Sequence, residues 1–441
     1  DGWNTSASLH LHYNRQWDST GTNLTVNIDY IDLGNQTKAR YVNMYTSADN
    51  FTQVLRTNNP GFYDIYSANI DLSKEISKKS QLEMGLKASQ ILSGDELNFY
   101  SVNPLGDEFD ASRSNNYRYQ ENIFAGYLNI MTPIGKVLRL QAGLRAEETI
   151  GKGESVIGTD VSSKRYLDLF PSLLLTQTVS DQYQIAYNIS RRIDRPNYRS
   201  LNPFIFYQDP YSWAEGNPSL RPQYTNSFQI TQTLRRSYSF MVNYSTTRDF
   251  FAEVPQQNTV DNTTVYQERN IDKVQDFSAT LIAPLKMANG WESNNNIVAG
   301  IQNNHLLLQE QELKNDQWFL TVQTNHTILL PWNIQMQTTA AYSSPSTFGI
   351  YRFKSQWWMD AGIKKSVANK KLDITLASTD IFRTREIHGD ASYNSNRFNF
   401  VNYFMMRSIK LNLRYNFQKG QNFKAKNKKT TLEELNRAGA Q

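Results

Sequence analysis

No cysteine occurs among the 441 residues. That excludes a disulfide framework, a thiolate metal site and a cysteine nucleophile. No stretch approaches the roughly 18 uninterrupted apolar residues of a helical membrane span, so none is expected. Charge of one sign is scarce in excess: 46 basic residues stand against 41 acidic ones, and the net +5 is spread along the chain. Nucleic-acid binders gather positive charge on one face, so nucleic acid is not an expected partner. Asp1-Gly2-Trp3-Asn4 has neither the basic start nor the apolar core of a signal peptide. The expectation is a processed chain, or one that is part of a larger protein. Aromatic residues, in contrast, are plentiful, with 25 Tyr, 22 Phe and 8 Trp, too many for a disordered chain.

Apolar residues return at every second position. Ala7, Leu9, Leu11 and Tyr13 alternate with Ser6, Ser8, His10, His12 and Asn14, and Leu24, Val26, Ile28 and Tyr30 with Thr25, Asn27 and Asp29. Leu138–Ala146, Tyr183–Ile189, Tyr238–Tyr244 and Ile409–Phe417 repeat the pattern. A period of two means strands with one apolar and one polar face. Helical windows are nearly absent before residue 430, so the chain is all-β.

Alternation alone does not say which face meets water. In a soluble sandwich the apolar face is buried, whereas a transmembrane barrel turns it to lipid and lines a wet lumen with polar residues. Three features favour the barrel. Connections alternate between short and long. Tight turns fall at 19–21, 77–79, 133–135, 179–181, 235–237, 287–289, 331–333 and 369–370. Polar excursions fall at 46–60, 94–116, 151–164 and 193–222. Short periplasmic turns and long outer loops are the pattern of outer-membrane barrels. Strands such as 223–235 and 407–417 exceed the usual five or six residues. Trp17, Trp291 and Trp332 sit at or beside short turns, as an interfacial girdle requires. Eight turns join sixteen strands, and the last strand makes about 17. The predicted fold is a transmembrane antiparallel β-barrel. Counting back from a last strand that runs toward the periplasm places Asp1 outside the cell. An odd number beginning outside leads to the expectation that further strands precede it.

The segment Arg191-Arg192-Ile193-Asp194-Arg195-Pro196-Asn197-Tyr198-Arg199-Ser200-Leu201-Asn202-Pro203, continued by Gly216-Asn217-Pro218-Ser219-Leu220-Arg221-Pro222, resembles the barrel signature of TonB-dependent outer-membrane receptors. The wording is most similar to the outer-membrane β-barrel family of Bacteroidota. The strand 372–380 with Ile381–Arg385, and the ending Leu411–Phe417, fit as well. The resemblance spans essentially residues 1–417. It implies a 22-stranded barrel, with about five strands before Asp1, filled by an N-terminal plug and powered through TonB. No plug and no TonB box stand within these residues. It also implies a bacterial outer-membrane location, with lipid and lipopolysaccharide around the wall, and it marks Arg195, Pro196, Asn202, Pro203, Gly216, Asn217, Pro218, Leu220 and Pro222 as a structural signature.

The prolines of this block explain themselves without a ligand. Pro203, Pro210, Pro218 and Pro222 lack an N–H and cannot sit in a central ladder, so they mark an ordered loop and a strand start. Phe204, Phe206, Tyr207, Tyr211 and Trp213 lie between them. They are the candidate ligand contacts, since aromatic rings at a lumen mouth offer an amphipathic surface. His10 and His12 share the polar face of one strand, a spacing that could serve a metal. With no third ligand assignable, they read as a lumen-facing polar pair, and no metal or cofactor is expected. Asp209, Glu215, Asp249 and Glu253 have no spacing that selects a mechanism. No nucleophile elbow appears, nor a phosphate loop or zinc signature, so no catalytic residue is assigned and no enzyme is expected.

After Phe417 the character changes. Lys419, Lys424, Lys426, Lys428 and Lys429 precede Thr430 and Glu433, which are spaced like a capping box. Residues 418–441 are expected to be a basic periplasmic tail with one short helical turn, solvated or docked on an acidic partner or lipid. Together these features lead to the expectation of a receptor-like barrel for energised import of a siderophore, metal complex, peptide or glycan. A non-transporting barrel that serves an outer-membrane protein partner is the alternative.

Overall fold

The computed structural model describes residues 1–18, 21–46, 50–155, 161–258, 260–308, 311–369, 371–393, 396–403, 406–417 and 433–439. Parts of the expected turns at 19–21 and 369–370, the lysines of 418–432 and Thr430 lie outside the described residues.

Nineteen strands join in one antiparallel sheet. Two of them, Gly106–Phe109 and Gln311–Lys314, are short partners folded onto long connections, which leaves seventeen wall strands. The first half of the wall is β1 (Gly2–Gln16), β2 (Asn23–Tyr45), β3 (Phe51–Ser77), β4 (Ser80–Asn103), β5 (Asn115–Ile134), β6 (Leu138–Ser155), β7 (Val161–Ser180) and β8 (Tyr183–Asp194). The second half is β9 (Gln223–Leu234), β10 (Tyr238–Arg248), β11 (Lys273–Ala288), β12 (Trp291–Leu308), β13 (Gln317–Leu330), β14 (Ile334–Ser343), β15 (Gln356–Val367), β16 (Leu372–Thr379) and β17 (Ser408–Tyr415). Each pairs with the next in a continuous meander. Among the described residues, β1 pairs only with β2 and β17 only with β16.

The strands on either side of all eight expected short turns pair as antiparallel neighbours, with the turns on one edge of this sheet. Ser77 pairs with Ser80, Leu234 with Tyr238, Leu330 with Ile334 and Val367 with Leu372. Arg235 and Arg236, Trp332 and Asn333, and Ala368 and Asn369 are consecutive residues in the left-handed region. Positive φ at a hairpin loop matches the twist of the flanking strands. Trp17 and Trp332 stand out from this edge, exposed by 58% and 82%.

The two faces of the wall are opposite in character to those of a soluble sheet. Leu9, Leu86, Leu128, Leu144, Leu281 and Leu411 all point outward and are exposed. On the other face, Asp71 accepts from Tyr127 at 2.7 Å and Glu83 from Asn129 at 3.0 Å. Apolar residues on the outside and a polar network on the inside suit a wall standing in lipid.

The long edge departs from the expected irregular excursions. Much of 51–60, 94–103 and 151–155 continues β3, β4 and β6, because cross-strand pairing persists well beyond the length a bilayer needs. Other connections form two small sheets of four strands. One comprises Ile205–Asp209, Ser212–Glu215, Thr263–Asn270 and Phe251–Asn258; the other comprises Ser346–Phe348, Tyr351–Phe353, Glu386–Tyr393 and Asn396–Tyr403. Ser212–Glu215 runs parallel to Thr263–Asn270, which stitches the loop after β8 to the loop after β10.

Candidate functional site

The block 195–222 folds onto the inner face of β2–β6 rather than away from the wall. Its short helix α1 (Tyr198–Leu201) brings Tyr198 and Leu201 into a cluster with Ile31, Tyr63, Ile91 and Phe99. Arg195 is almost completely buried. Its Nη2 donates to Glu147 Oε2 at 2.7 Å and Thr149 Oγ1 at 3.1 Å, and its Nη1 to Glu433 at 3.1 Å. Burial works against its charge, but Glu433, Tyr166 and Glu147 outweigh it and hold the guanidinium charged. Pro196 and Pro222 are buried, and Pro203 is half-buried. Asn202 donates to Asp95 at 3.2 Å and accepts the Phe204 N–H. Asn217 donates to the Glu268 carbonyl at 3.0 Å and accepts from the Ser219 N–H. The carbonyls of Pro218 and Leu220 accept from Ser162 and Lys164 on β7.

The five aromatic candidates do not form one surface. Phe204 is buried in the cluster. Tyr207 packs edge-on against Tyr41 and Phe99 and accepts from Asn43 at 3.0 Å. Phe206 lies under the Arg199 guanidinium at 4.2 Å. Trp213 is half-buried in the small sheet, and Tyr211 is 54% exposed.

A cavity of about 310 Å³ opens between the two stitched loops, lined by Arg199, Phe206, Glu215, Glu253, Tyr266 and Glu268. Burial pushes the Glu215 and Glu253 carboxyls above the usual range. Glu253 and Glu268 are directly paired across strands, which adds like-charge repulsion. Asp249 is held by Arg221, and Asp209 accepts the Tyr211 N–H at 2.8 Å. His10 meets Asp29 at 2.7 Å and His12 meets Asn27 at 2.6 Å, so each histidine has its own partner on β2. Among the described residues, no group of three or more His, Asp or Glu side chains is placed to hold a metal ion.

Sequence reasoning missed the charged residues of the inner wall. Lys87 and Ser89 on β4, Glu121 on β5 and Glu147 on β6 face the interior, and a second helix, α2 (Glu433–Arg437), meets them. Burial favours a protonated Glu434, but the Lys87 charge and the hydrogen bonds of Lys87 and Ser89 prevail and keep its carboxyl below the usual range. Beside α2, a cavity of about 590 Å³ runs along Ser6, Ser8 and His10 of β1. The sequence carried no signal for them, because a carboxylate on the polar face of a barrel strand reads as an ordinary lumen residue.

No curated protein matches the sequence. Among solved structures, the chain is similar to the ferric yersiniabactin uptake receptor FyuA from Yersinia pestis, at 12% identity and a TM-score of 0.63, covering 94% of this chain and 62% of that one. It is also similar to the pyoverdine outer membrane receptor FpvA from Pseudomonas aeruginosa PAO1, at 13% identity and a TM-score of 0.65, with coverage of 94% and 62%. The ferric-catecholate import receptor Fiu from K12 E. coli follows at 13% identity and a TM-score of 0.60, with coverage of 93% and 64%. At such identities the likeness is one of fold, and the chain spans about three fifths of the length of these receptors. The model of the outer membrane protein beta-barrel family matches residues 15–415. That match covers nearly the whole inside-out wall, from the end of β1 to the end of β17. The chain belongs to the outer membrane protein beta-barrel family, and its place is the bacterial outer membrane.

Proposed function

We propose that these residues are the wall and outer loops of a ligand-importing receptor. A solute would be caught at the long-loop edge and passed through the lumen, with energy from TonB through a plug contributed by sequence outside these residues. The observation that carries this reading is the pairing of a polar-lined wall with loops knitted into sheets over one end. A wall that only anchored a complex would not need an organised mouth. The structural neighbours named above, with uptake and import in their descriptions, support the same reading.

At that mouth, the exposed ring of Tyr211 and the half-buried Trp213 and Phe206 supply apolar contact. Glu215, Glu253 and Arg199 supply charge. Phe204 and Tyr207 act from behind, by fixing the loop. A siderophore, metal complex, peptide or glycan are the candidate solutes.

The test uses the full-length protein in its native outer membrane. Cells with and without it would be given a panel of iron-55-labelled ferric chelates, with and without a protonophore. Uptake that depends on both the protein and the proton gradient supports import. If the protein changes neither binding nor uptake of any chelate, of labelled oligopeptides or of labelled glycans, the import reading fails.

A further inference from the structure

We propose that the cavity between the two stitched loops binds a short oligopeptide with both termini free, its carboxylate on Arg199 and its ammonium group on Glu253 and Glu268. Among the candidate solutes this singles out peptide. That the bound peptide is then imported rests on the receptor reading above, whereas its binding rests on the cavity alone.

The floor of the cavity is one face of a small sheet. Its strands run in the order Ile205–Asp209, Ser212–Glu215, Thr263–Asn270 and Phe251–Asn258. Phe206 pairs with Ala214, Ala214 with Tyr266 and Tyr266 with Pro255, so these residues form one row across the sheet. Glu268 and Glu253 pair two residues further along the last two strands, on the same face. The Arg199 guanidinium lies over the Phe206 ring at 4.2 Å, above the first strand. The cavity is therefore basic at its first strand and acidic at its third and fourth.

These charges are not satisfied within the protein. Among the described residues, Arg199, Glu215 and Glu268 make no side-chain hydrogen bond and no ion pair. Glu268 Oε2 is shut off from solvent without a partner. Glu253 accepts only from the Tyr351 hydroxyl, at 3.3 Å. A half-buried carboxylate with no partner is costly, and a ligand of opposite charge removes that cost.

Occupants of other chemistry fit less well. Among the described residues, no three carboxylates are placed to share a metal ion. An anionic chelate would meet three like charges, and a neutral glycan would cover them unpaired. A zwitterion satisfies both ends together. Its length follows from the sheet: two to three strand spacings of about 4.8 Å separate the ends, roughly 10–15 Å. Allowing about 3 Å for a hydrogen bond at each end leaves about 4–9 Å. Two or three extended residues, at about 3.3 Å each, cover that span. The volume of about 310 Å³ stands at the small end of ligand sites.

Two measurements on the purified full-length protein in detergent test this. First, a library of tripeptides built from Ala, Ser, Phe, Lys and Glu is titrated calorimetrically. Saturable binding of at least one member is expected, weakened about tenfold or more when that peptide is N-acetylated or C-amidated. If no member binds, or if either capped form binds as tightly as the free peptide, the proposal is overturned. Second, Arg199→Gln should weaken binding of the free peptide about tenfold or more and leave that of the amidated one where it was. Glu253→Gln combined with Glu268→Gln should act likewise on the free peptide and spare the acetylated one. Equal losses for free and capped peptides would mean that these residues only hold the loop. Should a substituted loop fail to fold, the capped peptides on the unsubstituted protein still decide. A peptide that binds in this way but is not taken up by energised cells leaves the site standing and fails the import reading. Uptake of a chelate or glycan with no tripeptide bound does the reverse.

Discussion

The carbonyl oxygen of Asn202 lies 1.8 Å from where a β-carbon on residue 216 would stand, so the loop between β8 and β9 closes only because position 216 is glycine. The Arg199 carbonyl lies 3.1 Å from the same point. Both obstructions are backbone and cannot rotate away. Gly216→Ala is expected to destabilise the loop by about 1–3 kcal/mol or more. Limited proteolysis should show faster cleavage within 195–222, while the folded barrel keeps its electrophoretic heat-modifiability. Unchanged cleavage would show that the close approach does not exist in the protein.

Arg195 ties that loop to the wall. Arg195→Met should leave Glu147 with the Arg145 ion pair alone and remove the contact to Glu433. Breaking a buried pair from one side costs about 3–5 kcal/mol. Thermal unfolding in detergent should fall by several degrees. Arg195→Lys should recover only part, because an ammonium cannot span Glu147, Thr149 and Glu433 as the fork does.

Leu86 and Lys87 are adjacent on β4 and face opposite ways, Leu86 exposed outward and Lys87 toward Glu434. Leu86→Arg should cost about 2–4 kcal/mol, the value for a cation on the lipid face near the midplane. Urea titration of folding into vesicles measures it. A tolerated arginine at 86 would contradict the assignment of that face to lipid.

Glu253 is raised by burial and by Glu268, against the hydrogen bond it accepts from Tyr351. A carboxyl raised in the folded state stabilises it below the ordinary value of 4.5, and the contribution is lost as pH rises through the folded value. Glu253→Gln should therefore strengthen the small sheet at neutral pH by a few tenths to about 1 kcal/mol, the scale of one cross-strand pair. No gain is expected in acid. Hydrogen exchange of 251–270 at both pH values reads this out.

Glu434 has the opposite sign. Its lowered folded value means that its contribution is present above 4.5 and is lost as pH falls through the folded value. An Ala438→Cys thiol should accordingly become easier for a membrane-impermeant maleimide to label as pH falls below the ordinary value of 4.5, after correction for the reagent's own pH dependence. Glu434→Gln should flatten that profile.

Legibility from sequence followed the range of each interaction. The eight hairpin turns and the seventeen strands were readable because alternation and turn chemistry are properties of neighbouring residues. Leu9, Leu11 and Tyr13 announce a strand whatever it pairs with. The small sheets of the outer loops were not readable in the same way. Ser212–Glu215 is short, and its parallel partner Thr263–Asn270 lies in another connection.

The same division runs through the site. Sequence alone determined an all-β chain with an inverted wall and a signature block from Arg195 to Pro222, since pattern and proline placement are local. Only the tertiary structure decided that this block turns inward, that Phe204 and Tyr207 face the interior cluster, and that Arg437 meets Glu121 across 316 positions. A charge on a strand's polar face looks the same in sequence whether water or a buried guanidinium stands opposite. The partner is set by which strands the sheet brings side by side, and no local pattern carries that information.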